Sequence, residues 1–487
     1  MNRRDFIKAS TLAAACLSTA PSLIAAAKKT WEDDLTFKIS LAEWSLHRAL
    51  QSNKITNLDF PRIAKREFGI DAIEFVDQFF ADKAKDQAYL TDLKKRADDE
   101  GVYCHLIMLD TNGPLGAADK TARAKAVEKT KEWIDAAKFL GCKMVRVNAY
   151  GDEGANPSPA ELRDRVAESC SAVADYAAQA GLQLVIENHG GLSSDAAWLA
   201  SVMQAVNKPN FGTLPDFGNF DPNQHRYDSV EALMPYAKAV SAKSQKFTEY
   251  GMITDTDFFR MMRIVRDAGY NGWVGIESAP DKAEDEYEAI RRTKAVLNWV
   301  REEQAKIKPV FNGKDLDGWT KIEDGDWTIE NGVLIGRNGR DWTTNPEKTG
   351  SWLSTKKQYE NFRLEFQFTV NKGGNSGVFF RSKHTKNPAF TGYEMQIHDS
   401  PGRPASKGGP GSLYDVIAPE KNMIRPAGVW NSATITARGN KVRVEMNGEK
   451  IIDTELKLKR SAKGYIGLQN HDDKSEVRFK NIRIEEL

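Results

Sequence analysis

The alternation of short apolar runs with amphipathic stretches between residues 38 and 303 limits what this chain can fold into more than any other feature. Phe37-Lys38-Ile39-Ser40-Leu41, Ala72-Ile73-Glu74-Phe75-Val76, the apolar run 102–108 and Met144-Val145-Arg146-Val147-Asn148 open the series, and segments 182–189, 211–216, 239–243 and 273–277 complete it. The intervening stretches carry helical periodicity. In 161–180, Leu162, Val166, Val173 and Ala177 form one stripe and Gly181 supplies the stop. Eight strand–helix units in one domain-sized stretch predict an α/β fold, a (β/α)8 barrel. An open doubly wound sheet is the alternative, but no GxGxxG follows its first strand.

A helical stretch over 283–306 ends at Lys308-Pro309, and the texture then changes. Gly, Asn and Asp punctuate short alternating segments. Every second residue of Phe362-Arg363-Leu364-Glu365-Phe366-Gln367-Phe368-Thr369-Val370 is apolar, the mark of a half-buried strand. Arg438-Gly439-Asn440-Lys441 reads as a turn between two such strands, and 477–484 as a closing strand. The second half is therefore expected to be an all-β sandwich or jelly roll. A chain of 487 residues with 40% hydrophobic and 28% charged residues has room for two packed cores. The expected divisions are a leader at 1–27, a barrel at 28–306 and a sandwich at 307–487. A net charge of +1 and the lack of any Lys/Arg block argue against nucleic acid as a partner and for a neutral small-molecule ligand. The 11 Trp and 13 Tyr residues suit stacking on sugar rings as well as ordinary cores.

Asn2-Arg3-Arg4-Asp5-Phe6-Ile7-Lys8 is a twin-arginine pattern ahead of a weakly apolar, Ala-rich run. That run ends in Ala25-Ala26-Ala27, which reads as a cleaved export signal directing the protein to the periplasm. Ser, Thr and Pro make the run too polar for a stable membrane span. Cys16 leaves lipid anchoring as the lesser alternative. Cys104, Cys142 and Cys170 are irregularly spaced in apolar segments, without a CxxC, and are expected to be buried thiols.

Barrel chemistry sits where the strands end, and three acids follow apolar runs there: Glu187, Asp216 and Glu277. Three converging carboxylates repel unless a cation lies between them, and their hard oxygens favour a divalent ion such as Mn, Mg, Zn or Co. For each acid alone, helix capping or an arginine partner explains it equally well; for the three together at the ends of strands 5, 6 and 8, the metal reading leads. The segments Ile186-Glu187-Asn188-His189-Gly190-Gly191, Pro215-Asp216-Phe217-Gly218-Asn219-Phe220 and Gly275-Ile276-Glu277 resemble the sugar phosphate isomerase/epimerase family of xylose-isomerase-like TIM barrels. The resemblance implies a metal held by Glu187, Asp216 and Glu277, with the two glutamates also acting as acid and base on opposite faces of a sugar. It implies that His189 reaches the substrate. The family often places a metal-binding His on strand 7, where this chain has Ser241, Lys243 and Gln245 on one strand face. Lys243 there would offset negative charge and stabilise an enolate. Glu74, His105 and Asn148 are candidate substrate contacts near the ends of strands 2, 3 and 4, although a core role is the plainer reading of His105.

In the second half, Val310-Phe311-Asn312-Gly313, Gly373-Gly374-Asn375-Ser376-Gly377, Gly392-Tyr393-Glu394-Met395-Gln396-Ile397-His398 and Gly467-Leu468-Gln469-Asn470-His471 occur in order. Together they resemble the 3-keto-disaccharide hydrolase family, which implies a concanavalin-like sandwich acting on 3-keto-glycosides. Strand alternation puts Glu394, Gln396 and His398 on one face and Met395 and Ile397 on the other. Glu394 and His398 are the candidate catalytic groups; Gln396, Arg381 and His471 are candidate sugar contacts. Asp399 points away from Glu394, so a paired-carboxylate glycosidase is disfavoured. A carbonyl at sugar C3 acidifies the C2 proton, so a base can drive elimination of the C1 substituent and water can then re-add. That chemistry needs one base, one acid and an enolate stabiliser. The barrel is expected to enolise, hydrate or isomerise the keto-sugar. The alternatives are a sugar isomerase or epimerase with a passive carbohydrate-binding sandwich, or two binding modules without turnover.

Overall fold

The computed structural model describes residues 37–152, 157–220, 225–340, 347, 350–457 and 460–487. The expected leader and Cys16 lie outside the described residues. Eight parallel strands form the first half: β1 (Lys38–Ala42), β2 (Ala72–Val76), β3 (Tyr103–Met108), β4 (Met144–Val147), β5 (Gln183–Glu187), β6 (Phe211–Leu214), β7 (Val240–Ser244) and β8 (Trp273–Ser278). β1 pairs with both β2 and β8, and the bridges Thr213–Ala237 and Asp216–Ser241 close the remaining seam between β6 and β7. This is a TIM barrel. Its outer helices are α1 (Phe60–Phe68), α2 (Gln87–Glu100), α3 (Lys120–Leu140), α4 (Pro159–Ala180), α5 (Ala196–Val206), α6 (Arg226–Leu233), α7 (Phe258–Asp267) and α8 (Glu286–Lys306).

Local signals explain the boundaries. At α4, Ser158 accepts from the Glu161 amide while the Glu161 carboxylate accepts from the Ser158 amide, and Gly181 ends the helix at φ 77°. The helix expected from 283 starts at Glu286 instead, because Ala283–Asp285 winds as a 3₁₀ turn. The thiols of Cys104, Cys142 and Cys170 are free and buried. No helix of the described residues is long and apolar enough to cross a membrane.

Lys308-Pro309 forms β9, a short strand paired with the last strand of the chain, so α8 leads straight into the second half. There β10 (Trp319–Ile322), β13 (Ser351–Tyr359), β20 (Gly464–Asn470), β15 (Asn375–Ser382) and β16 (Tyr393–His398) form one sheet in that order. The facing sheet runs β11 (Asp326–Glu330), β12 (Val333–Arg337), β21 (Val477–Glu486), β14 (Phe362–Val370), β17 (Asn431–Arg438), β18 (Lys441–Met446) and β19 (Glu449–Glu455). Leu364, Phe366 and Phe368 of β14 meet Val378, Met395 and Ile397 in the core of this jelly-roll sandwich.

The opposite face of β14 and β17 rests on the barrel flank. Arg266 of α7 donates to Glu365 of β14 at 2.6 Å, Arg263 donates to the carbonyl of Ala433 at 2.9 Å, and Arg425 reaches Asp228 and Glu231 of α6. A cleft of about 730 Å³ runs along this charged seam.

Candidate functional site

Glu187, Asp216 and Glu277 stand at or just past the C-terminal ends of β5, β6 and β8, and all three are buried. One oxygen from each lies within 4.8 Å of the other two. The Asp216 Oδ1 accepts from the amides of Gly218 and Asn219 at 2.7 Å, and Oδ2 accepts from Ser241 Oγ at 2.7 Å. The Ser241 hydroxyl also lies 3.1 Å from Glu277 Oε2. Lys243 Nζ donates to Glu277 Oε1 at 2.6 Å, and Asn219 Nδ2 donates to Glu187 Oε1 at 3.0 Å. Burial pushes Glu187 up against the opposing pull of Arg146, and it pushes Asp216 up against that of Lys243. Glu277 is also buried, but the Lys243 ammonium outweighs that and holds it below the usual range.

The sandwich presents a second cluster on the outer face of its five-stranded sheet. Glu394 and Gln396 of β16 are buried, and His398 ends the same strand, half-buried. Across β15, Gly377 pairs with Gln396 and Asn375 pairs with His398. The Glu394 carboxyl folds over Gly377 so closely that a Cβ there would sit 2.0 Å from its Oε1. Burial alone pushes this carboxyl up to about 8. Beside it, the buried Gln469 Oε1 has no hydrogen-bond partner among the described residues.

The two halves match different family models: a xylose isomerase-like TIM barrel over residues 63–302, and a 3-keto-alpha-glucoside-1,2-lyase-like domain over residues 306–485. The chain joins these two domains. A 3-keto-disaccharide hydrolase from Bacteroides thetaiotaomicron is 27% identical over 227 residues, spanning 37% of this chain and 77% of that protein. An L-ribulose-5-phosphate 3-epimerase from Escherichia coli (strain K12) is 25% identical over 201 residues, spanning 40% of this chain and 69% of that protein. A crystal structure of 3-keto-D-glucoside 4-epimerase from E. coli is 16% identical and covers 54% of this chain and 100% of its own, with a TM-score of 0.45.

The donor set of the xylose isomerase-like barrel fits a divalent cation. Glu187, Asp216 and Glu277 gather three hard carboxylate oxygens at one place, the donor type that a magnesium-sized ion takes. Glu187 Oε2 is buried and its one close partner is the Arg146 guanidinium, with Nε 2.9 Å away. Ser241 faces the trio from β7, and Lys243 already shares Glu277, so an ion would compete with that ammonium.

Other candidate residues of the barrel fall at different depths. His189 lies above the trio, with its Nδ1 against the Tyr150 hydroxyl. Asn148 donates to Asp110 Oδ1 at 2.9 Å. Glu74 is the third residue of β2, not its end; it accepts from Ser40 Oγ at 2.5 Å inside the barrel, and burial pushes it up to about 8. His105 is misplaced by the sequence reading. It falls at a register shift early in β3, beside Tyr103 and Trp273, which begin β3 and β8, so it belongs to the opposite end of the barrel from the trio. Gln245 is exposed beyond β7.

Arg381 also departs from expectation. A register shift between Phe379 and Ser382, with φ 54° at Arg381, turns its side chain off the Glu394 face. Its guanidinium donates to the carbonyls of Glu360 and Gly439, clamping two turns. In the lyase-like domain, Gln396 and His471 do share the Glu394 face.

Sequence reasoning missed Arg146. It lies 2.9 Å from Glu187 Oε2 through Nε and donates to Asp110 at 2.7 Å through Nη1. An arginine inside an apolar barrel strand needs buried acids as partners, and that was the available signal. Trp44 and His47, stacked at 4.6 Å just beyond β1, form an aromatic wall near the same end.

Proposed function

We propose that this chain is an exported enzyme that cleaves 3-keto-glycosides by elimination and hydration in its lyase-like domain, while its barrel enolises, hydrates or isomerises the keto-sugar. The observation that carries this reading is Glu394. Its carboxyl is buried, burial is what raises it, and no ion pair engages it among the described residues. A carboxyl pushed up to about 8 holds its proton at neutral pH and can protonate a leaving glycosidic oxygen. Paired-carboxylate glycosidases need a second acid within about 5–10 Å. Similarity to a 3-keto-disaccharide hydrolase supports the same substrate class.

In the barrel, a divalent cation held by Glu187, Asp216 and Glu277 would supply positive charge to an enolate oxygen. The chain's own groups do the rest. Glu187 and Glu277 stand on strands separated around the barrel wall and exchange protons with the sugar. Lys243 keeps Glu277 ionised, and Arg146 orients Glu187. Trp44 and His189 border the opening where a sugar would lie.

Incubating the full chain with a 3-keto-disaccharide, before and after a chelator, tests the reading. Release of free monosaccharide is expected, with its conversion to a further isomer or hydrate stopping after chelation. An unchanged disaccharide contradicts the proposal. The second reading, an epimerase with a passive sandwich, is favoured by the 25% identity to L-ribulose-5-phosphate 3-epimerase. It predicts that Glu394→Gln leaves turnover intact.

A further inference from the structure

Elimination needs a base as well as the Glu394 acid, and the outer face of the five-stranded sheet holds an imidazole already fixed for that work. His471 stands one residue past β20. Its Nδ1 lies 2.6 Å from Asp472 Oδ2, and its Nε2 lies 3.1 Å from Asn375 Nδ2. A carboxylate only accepts hydrogen bonds, so Nδ1 carries the proton and donates; an amide nitrogen only donates, so the Nε2 lone pair accepts from Asn375 and is released to a substrate that displaces that amide. Asp472 cannot swing away, because its Oδ1 accepts from the amides of Lys474 at 2.9 Å and Ser475 at 2.8 Å. By contrast, His398 has no carboxylate hydrogen-bonded to its ring among the described residues.

The two groups stand a sugar's width apart. Glu394 Oε1 lies over Gly377, and His471 touches Asn375, which is two residues earlier on β15 and faces the same way, roughly 7 Å along the strand. Between them the unpartnered Gln469 Oε1 points to a ligand with hydroxyl donors.

We propose that His471 is the general base of this site and Asp472 its positioning residue, acting on a glycoside oxidised at C3. The inference rests on the function proposed above. Nε2 takes the C2 proton, and the C–H electron pair moves into the C1–C2 bond through the enolate of the C3 ketone. The C1–O bond breaks, and the departing oxygen takes its proton from Glu394. The products are an unsaturated keto-sugar and a free alcohol, with His471 protonated and Glu394 ionised. Water then adds to C1, losing a proton to Glu394, while His471 returns one to C2, so both groups are restored and no other reactant is consumed.

The test uses the full-length chain and a p-nitrophenyl 3-keto-glucoside, followed by nitrophenolate release. His471→Ala is expected to lose about 100-fold or more in kcat and to recover part of it with added imidazole. Asp472→Asn is expected to lose about tenfold in kcat with KM and the thermal midpoint unchanged, and Asp472→Glu to restore most of it. A wild-type chain that cleaves while His471→Ala stays within about threefold of it overturns the assignment alone. A wild-type chain that leaves the substrate intact overturns the parent reading, and the assignment with it.

Discussion

Gly377 and Glu394 compete for one volume, and only the absence of a side chain at 377 lets the carboxyl lie where it does. Gly377→Ala should push the Glu394 carboxyl aside at a cost of about 1–3 kcal/mol in stability. Cleavage of a 3-keto-glycoside should fall about 100-fold, the usual worth of a well-placed acid. Kinetics and a thermal melt on the same preparation check both numbers; full activity would mean that the carboxyl is not the acid. At this scale the sequence was most legible where chemistry and burial coincide. Glu187, Asp216 and Glu277 end apolar runs, and the barrel brings them within reach of one another. Arg381 was not legible, because a left-handed residue inside a register shift leaves no mark in alternating apolar spacing. For His105 the core reading held over the substrate contact, since its ring is buried beside Tyr103 and Trp273, which begin β3 and β8.

Elements were easier to read than their ends. All eight apolar runs of the first half became barrel strands, because a strand buried on both faces must be apolar throughout. Ser158-Pro159-Ala160-Glu161 has the pattern that caps a helix, and the reciprocal bonds of that cap are present at α4. Ser158→Ala should therefore cost about 1 kcal/mol. Urea denaturation measures it, and a change below about 0.3 kcal/mol would show that the cap carries no weight. The start of α8 shifted by three residues, since Ala283–Asp285 favours a tight 3₁₀ turn that periodicity cannot distinguish from a helix.

At the scale of the whole molecule, the arrangement of layers was not legible in the sequence at all. The larger sheet of the sandwich has its core on one side and the barrel's α6 and α7 on the other. The Glu394 cluster lies on the other sheet, the one that does not carry the Glu365 contact to the barrel. Charge holds the joint. Burial pushes Glu365 up, but Arg263 and Arg266 outweigh it and hold the carboxyl at about 2, against an ordinary 4.5. The docked state therefore gives up this proton more readily than the unfolded chain, and its contribution is full above about pH 5 and drains away as the pH falls toward 2. That contribution is on the order of 3 kcal/mol. Denaturation followed from pH 7 down to about pH 3 should show this loss in the wild type and a flatter profile in Glu365→Gln; parallel profiles would contradict it.

The most direct measurement follows a 3-keto-disaccharide by NMR with the full-length wild type, Glu394→Gln and Glu187→Gln side by side. Loss of cleavage only in Glu394→Gln, and an altered fate of the released keto-sugar only in Glu187→Gln, is the predicted result. Cleavage by Glu394→Gln at the wild-type rate, or loss of cleavage in Glu187→Gln, would contradict two sites with separate chemistry.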